Sequence, residues 1–125
     1  MSANISYTAM KLTAAAASVN GGDMDNIAGS AAVVVVDITA ITGTAPTATF
    51  TVQGKDPISG QYYTILATAA LVAAGTTVLR IFPGATATAN AATNDVLPKT
   101  YRVIVAITGT TPAVTATVGV LINGF

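Results

Sequence analysis

The chain has 125 residues, of which five are acidic and five are basic, and it contains no His, Cys or Trp. All five acidic residues are Asp, so the side chains that usually carry acid–base, nucleophilic or thiolate metal chemistry are nearly absent. A formal net charge of zero also removes the attraction to phosphate on which nucleic-acid binding depends. The composition therefore predicts a protein that acts through its surface: no enzyme, no catalytic residue, no cofactor or metal, and no nucleic-acid partner.

The sequence is apolar, but it contains no predicted membrane span. Hydrophobic residues make up 52% of the chain, and yet its apolar runs are much shorter than the ~20 residues that a transmembrane helix requires. Charged residues make up 8%, against about a quarter in ordinary soluble domains. A surface of Ala, Thr, Ser and Gly repels its neighbours weakly, which favours a protein packed in an assembly. The alternative is a secreted Ala- and Thr-rich monomer.

Residues typical of β-strands occur in runs that Gly, Pro, Asn and Asp separate. The runs predicted as strands are Met10–Ser18, Ala31–Thr39, Thr47–Lys55, Gln61–Ala69, Thr76–Phe82, Lys99–Ile107 and Ala113–Asn123. The third, sixth and seventh runs alternate apolar and polar residues, as strands with one buried face do. We predict an all-β fold, an antiparallel β-sandwich of about seven strands and immunoglobulin-like type, with a small β-barrel as the alternative. Tyr101, at the start of the sixth run, is where a tyrosine corner would place its Tyr, although a plain core aromatic also fits.

Three segments carry loop or turn signals. Residues 54–60 combine an Asp-Pro pair with a Gly, which predicts a hairpin between the third and fourth runs. Residues 108–112 are predicted to join the sixth and seventh runs in the same way. The segment Pro83–Pro98 is long and lacks periodicity, so we expect a loop that is used for contact.

The beginning of the chain differs from the rest. Residues 1–26 are predicted to form an N-terminal arm or edge segment, and residues 27–125 the β-sandwich domain. Asp23 and Asp25 form an acidic cluster after two Gly residues. Because an EF-hand loop needs a distal Glu and this chain has none, the cluster is predicted to be a solvated turn and not a metal site.

Some side chains suited to an interface lie on the predicted strands. Two arginines can make bidentate contacts with a partner, although either could instead pair with Asp37 within the chain. Tyr62 and Tyr63 must point to opposite faces of one strand, so we expect one to enter the core and the other to be free for a partner. Ile104 is apolar on the outer face of its run, which indicates a covered surface. The candidate interface residues are Tyr62, Arg80, Arg102 and Ile104.

The segments Phe50–Leu66, Gly75–Gly84 and Asn94–Val103 are similar to a family of small proteins encoded in tailed-bacteriophage genomes. The resemblance covers roughly residues 47 to 122. It implies a virion structural protein, assembled in the bacterial host cytoplasm, that binds the major capsid protein on the outer surface of the head as a capsid decoration (cement) protein. We expect a homo-oligomer, with a trimer favoured, because symmetric clusters at three-fold positions suit such a role. The alternatives are a tail or neck component of the virion and a carbohydrate-binding β-sandwich module.

Overall fold

The computed structural model describes residues 4–26 and 29–124. These residues form strands β1 Asn4–Ala15, β2 Val19–Asn20, β3 Met24–Asp25, β4 Gly29–Lys55, β5 Tyr62–Ala67, β6 Gly75–Phe82, β7 Ala92–Asn94 and β8 Thr100–Gly124. All of them belong to one open, mixed sheet, in which β7 pairs parallel with β6 and every other pairing is antiparallel. Within the described ranges there is no helix, and hence none that is long and apolar enough to cross a membrane.

Two strands, β4 and β8, organise the whole sheet. They are 27 and 25 residues long and pair with each other along most of their length. Strands β1, β6 and β7 join the residues 29–42 of β4 and 113–124 of β8, and we call this group the first layer. Strands β2, β3 and β5 join residues 47–55 of β4 and 100–108 of β8, which form the second layer. Both long strands are thus shared by the two layers.

The two long strands change direction at the same level. Gly43 and Gly109 have φ angles of 122° and 121°, and Ala45 and Thr111 also have positive φ, at 50° and 46°. A Cβ added to Gly43 would lie 2.8 Å from the carbonyl oxygen of Thr111, and one added to Gly109 would lie 2.9 Å from Cα of Pro46. Strands β4 and β8 therefore pass too close to each other at these positions for a side chain, and glycine is required at both.

The two kinks have nearly the same sequence. Residues 38–52 and 104–118 are identical at ten of fifteen positions, including the run Ile-Thr-Gly-Thr before the kink and the Pro after it. Thr44 pairs with Thr110 at the centre, while Thr42↔Ala113 on one side corresponds to Thr47↔Thr108 on the other. The crossing therefore has pseudo-two-fold symmetry.

The hairpin predicted at residues 108–112 is wrong. Gly109 and Pro112 are turn-forming residues, but the strand continues through them as a kink because the segment pairs with its own repeat in β4. For the same reason the second and third predicted strands are one strand, β4. The hairpin predicted at residues 54–60 is confirmed: the amide of Asp56 donates to the carbonyl of Gln61 at 2.8 Å, and Gly60 has a φ of 75°.

A single hydrophobic core includes buried residues of both layers, among them Val34 and Val120 of the first and Phe50 and Val103 of the second. In β8 the buried side chains are those of odd-numbered residues from 101 to 107 and of even-numbered residues from 114 to 122, so the inward set changes across the kink. Gly21 lies close to both layers: its amide donates to the carbonyl of Val103 at 2.8 Å, and a Cβ added to it would lie 3.5 Å from the carbonyl oxygen of Ala9 in β1. The predicted all-β sandwich is confirmed.

Residues 4–26 follow β8, since β1, β2 and β3 all pair with that strand. Strand β1 pairs with β8 at the end of the sheet, and its Met10 and Leu12 are buried in the core. Asn26 is also buried: its side-chain amide donates to the carbonyls of Gly29 at 2.6 Å and Leu97 at 2.9 Å, and its oxygen accepts from the amide of Gly29 at 2.9 Å. This residue therefore fixes the beginning of β4 to the segment that leads into β8.

Tyr101 is a core aromatic. Its side chain is fully buried, and its hydroxyl has no hydrogen-bond partner among the described residues, so the backbone hydrogen bond of a tyrosine corner is absent there. Burial, followed by the neighbouring Tyr7, raises the pKa of Tyr101 to about 12.

Candidate interaction surfaces

The structure places the four candidate interface residues on two different outer surfaces. Tyr62, Arg102 and Ile104 lie on the outer side of the second layer, where they pair with Lys55, Gln53 and Thr51 of β4. Arg80 lies on the outer side of the first layer. Three of the predicted residues therefore share a surface, and the fourth belongs to another one.

On the second layer, Tyr62 is the centre of a group of polar contacts that we call the tyrosine network. The guanidinium carbon of Arg102 lies 3.5 Å from the centroid of the Tyr62 ring, and its Nε donates to Oε1 of Gln53 at 2.9 Å. The hydroxyl of Tyr62 donates to Oδ1 of Asp23 at 2.6 Å, and Nζ of Lys55 contacts Oδ2 of Asp23 at 2.9 Å. Each charged group of this network is therefore satisfied within the chain.

The network also shifts two pKa values. The hydrogen bonds from Tyr62 and Lys55 lower the pKa of Asp23, and those to Asp23 raise the pKa of Lys55. Both groups are exposed, so solvent screens the pair and its contribution to stability is small. The solvated turn predicted for Asp23 and Asp25 is corrected accordingly: Asp23 is held by the network, and Asp25 lies in β3, where it pairs with Thr100.

The outer side of the first layer has an apolar area on β8, β4 and β6. Cross-strand partners in an antiparallel sheet share a face, and the pairing places Leu121, Val33 and Arg80 in one row and Gly119, Val35 and Val78 in the next. Leu121 is 43% exposed, and the nearby Phe82 is 38% exposed. A shallow concavity on this side is lined by Ala31, Ala32, Val33, Arg80, Phe82, Leu121 and Asn123. We call this surface the Arg80 face.

Arg80 differs from Arg102 in having no side-chain partner. Its guanidinium makes no hydrogen bond, ion pair or aromatic contact with any residue that the structure describes. The alternative in which Asp37 pairs with an arginine is not seen among the described residues. Arg80 lies opposite Val33, four positions from Asp37 along β4 and about 13 Å away. Asp37 instead accepts a long hydrogen bond from Thr76, at 3.4 Å.

A cleft lies beside the β4–β5 hairpin, with Tyr63 and Pro98 on its wall and Lys99 at its margin. The prediction that Tyr62 or Tyr63 enters the core is wrong. Tyr62 belongs to the tyrosine network, and Tyr63 remains 46% exposed while it covers Gly54. A Cβ on Gly54 would lie 2.5 Å from the Tyr63 ring, so the ring occupies the space that the glycine leaves free.

No family model matches the chain, and no curated protein matches it in sequence. Among solved structures, a chain of infectious bursal disease virus, Gx strain, matches with a TM-score of 0.46 and 10% sequence identity over 97% of this chain. This chain spans 32% of the length of that viral chain. A likeness at this level defines neither a family nor an activity. The resemblance to small tailed-phage proteins therefore stays a prediction.

Proposed function

We propose that the protein is a virion structural protein that decorates the outer surface of a tailed-phage head and stabilises it. The Arg80 face carries this proposal: exposed Leu121 and Phe82 lie beside an arginine that has no described partner within the chain. Buried arginine and aromatic contacts are typical of the centres of protein interfaces. The low charge of the whole chain supports a subunit that works in a dense assembly.

The proposed partners are the major capsid protein and further copies of this chain. Such a subunit stabilises a head by mass action, because it binds the assembled shell more tightly than the separated shell subunits. Binding at 100 times the dissociation constant contributes about 2.7 kcal/mol per site. No catalytic step is part of this function. The sequence predicts a homo-oligomer with a trimer favoured, and sedimentation velocity measurements determine the number of copies.

Heads assembled without this protein provide the test. Purified protein is mixed with the heads, which are then sedimented and heated to the temperature at which they release DNA. We expect the protein to sediment with the heads and to raise that temperature, and we expect Leu121→Thr to weaken binding at least tenfold. Lys99→Thr is the matched control, because Lys99 is exposed but lies away from the Arg80 face. Absence of binding, or equal binding by both variants, would contradict the proposal.

A tail or neck component would share the same oligomeric, strand-rich character. Image reconstruction of the particle distinguishes the two positions, since density for this chain on the tail would replace the head assignment.

The cleft favours a carbohydrate-binding module as the second candidate. The exposed ring of Tyr63 lies there beside polar groups, including Lys99 and Ser59, and sugar rings stack on aromatic rings while their hydroxyls form hydrogen bonds. Titration with a panel of oligosaccharides tests this candidate. Saturable binding that Tyr63→Ala removes would favour it over the virion role.

A further inference from the structure

We propose that the Arg80 face is a two-fold self-association surface, in which Arg80 of one copy pairs with Asp37 of a second copy. This inference rests on the homo-oligomer of the proposed function and names the surface and the contacts that form it. The Arg80 face then serves decoration by joining two copies, and Leu121→Thr weakens binding to heads because a dimer binds at two points and a monomer at one. A two-fold contact gives an even number of copies, so it takes the place of the trimer expected from the sequence.

The charges on this face are arranged so that the face complements itself. Its outward side chains form three parallel rows, which are Leu121–Val33–Arg80, Gly119–Val35–Val78 and Thr117–Asp37–Thr76. Successive rows lie two residues apart, about 6.6 Å along the strands. On β8, β4 and β6 the positive charge is therefore in one outer row and the negative charge is in the other, with an uncharged row between them; Lys11 continues the row of Asp37 on β1.

A two-fold axis that runs along the middle row brings each outer row over the opposite outer row of the second copy. Arg80 of each copy then meets the row that contains Asp37 of the other, and two equivalent ion pairs form. The lateral offset between Arg80 on β6 and Asp37 on β4 is one strand spacing, about 4.8 Å, which the long arginine side chain can bridge. Val35 and Val78 of the two middle rows pack against each other near the axis.

Local contacts leave both charges available. The guanidinium of Arg80 has no partner among the described residues, and the contact of Asp37 with Thr76 is long, at 3.4 Å. Arg102, by contrast, is already bound to Gln53 and stacked on Tyr62. Lys11 lies in the same row as Asp37 but two strands away, on the side opposite to β6, so it does not meet Arg80 of the second copy.

The size of the face sets the expected strength. Four strands and about six residues along each give a face of about 20 by 20 Å. Its area, roughly 400 Å², is smaller than the ~800 Å² per partner of a standard interface. Its apolar rows lose water on association, and the two ion pairs fix the orientation. We therefore expect a reversible dimer with a dissociation constant on the order of micromolar.

Sedimentation velocity measurements over a range of protein concentrations test this inference with a charge swap. We expect Arg80→Asp and Asp37→Arg each to weaken the dimer at least tenfold, because each places like charges opposite each other. The double variant, which carries both changes, should recover the dimer, since the same two rows then pair with exchanged signs. Lys99→Glu, which changes a charge outside the first layer, is the matched control and should associate as the unchanged protein does.

A second variant blocks the face without changing a charge. Gly119 lies in the middle row, and a Cβ there would have the carbonyl oxygen of Tyr7 as its nearest neighbour, at 4.0 Å. Gly119→Gln should therefore fold, as circular dichroism would show, but remain monomeric. A monomer at every concentration, a trimer, single charge variants that still dimerise, or a double variant that does not recover would each overturn the inference.

Binding of the same variants to undecorated heads separates this inference from the proposed function. A protein that binds heads but stays monomeric overturns the two-fold contact and leaves the decoration role standing, with a carboxylate of the shell as the partner of Arg80. A protein that dimerises through the charge swap but ignores heads supports the two-fold contact and removes the decoration role.

Discussion

The kink glycines provide the sharpest prediction about stability. Gly43→Ala places a Cβ 2.8 Å from the carbonyl oxygen of Thr111 at a φ of 122°, which L-residues rarely adopt. Positive φ alone costs about 1–2 kcal/mol, and moving a paired backbone segment to relieve the contact adds a similar amount. We therefore expect the free energy of unfolding to fall by about 2–4 kcal/mol.

Two other glycines separate these effects. Gly75 also has positive φ, at 153°, but a Cβ there would have no neighbour within 4 Å. Gly75→Ala should therefore lower the free energy of unfolding only by the cost of positive φ. Gly119 does not have positive φ and has room for a Cβ, so Gly119→Ala should change the free energy of unfolding by less than about 0.5 kcal/mol. Urea unfolding followed by circular dichroism gives all the values on one scale.

The pseudo-two-fold symmetry predicts that the two kink glycines have similar effects on stability. Gly109 has the same φ within a degree and an equally close contact, 2.9 Å from Cα of Pro46, so Gly109→Ala should match Gly43→Ala within about 1 kcal/mol. The physical account of the kink would be refuted if Gly43→Ala and Gly119→Ala had the same stability, or if the two kink variants differed widely.

Tyr101, Asn26 and Tyr62 each provide a test by substitution. Tyr101→Phe removes a buried hydroxyl without a described partner and should stabilise the protein by about 1 kcal/mol in thermal unfolding; a loss of stability would show that the hydroxyl is hydrogen-bonded. Because the pKa of Tyr101 is raised to about 12, its folded form holds the proton more tightly than the unfolded form does. Stability should therefore fall as pH rises from about 10 to 12, and Tyr101→Phe should flatten that slope. Asn26→Ala leaves buried carbonyls such as that of Leu97 without a donor and should cost about 2–4 kcal/mol by urea unfolding. Tyr62→Phe removes the main hydrogen bond that lowers the pKa of Asp23, so nuclear magnetic resonance should find that pKa higher, while an unchanged value would contradict the network.

The sequence predicted the strands and their buried faces well, because period-two alternation depends on the chain alone. The alternation in the seventh predicted run places its even-numbered residues, 114 to 122, on one face, and the structure buries them. The hairpin at residues 54–60 was also predictable, since Asp56 and Gly60 form a local turn that no distant segment needs to support.

The connection between the strands was not predicted, because it depends on a long-range pairing. Gly and Pro at residues 43–46 and 109–112 are turn signals when each segment is considered separately. The signal that could have corrected this reading is the repeat of residues 38–52 at 104–118, since a segment that pairs with its own copy can keep both strands running through the kink. Outside the repeat, the pairing of β4 with β8 and with β6 places Leu121, Val33 and Arg80 in one row.

The distribution of the ten charged side chains explains why Arg80 and Asp37 are the pair on which the proposed interface depends. None of the ten lies in either copy of the repeat, so the crossing of the long strands is uncharged. Within the chain, Asp23, Lys55 and Arg102 are held by the tyrosine network, and Asp56 and Asp95 accept hydrogen bonds from nearby backbone amides. Asp25 and Lys99 lie at the second layer, and Lys11 lies on β1, two strands from Asp37 on the side opposite to β6. Arg80 and Asp37 remain, and they lie at opposite edges of one apolar surface, where pairing across a two-fold axis would satisfy both charges without a change in the fold.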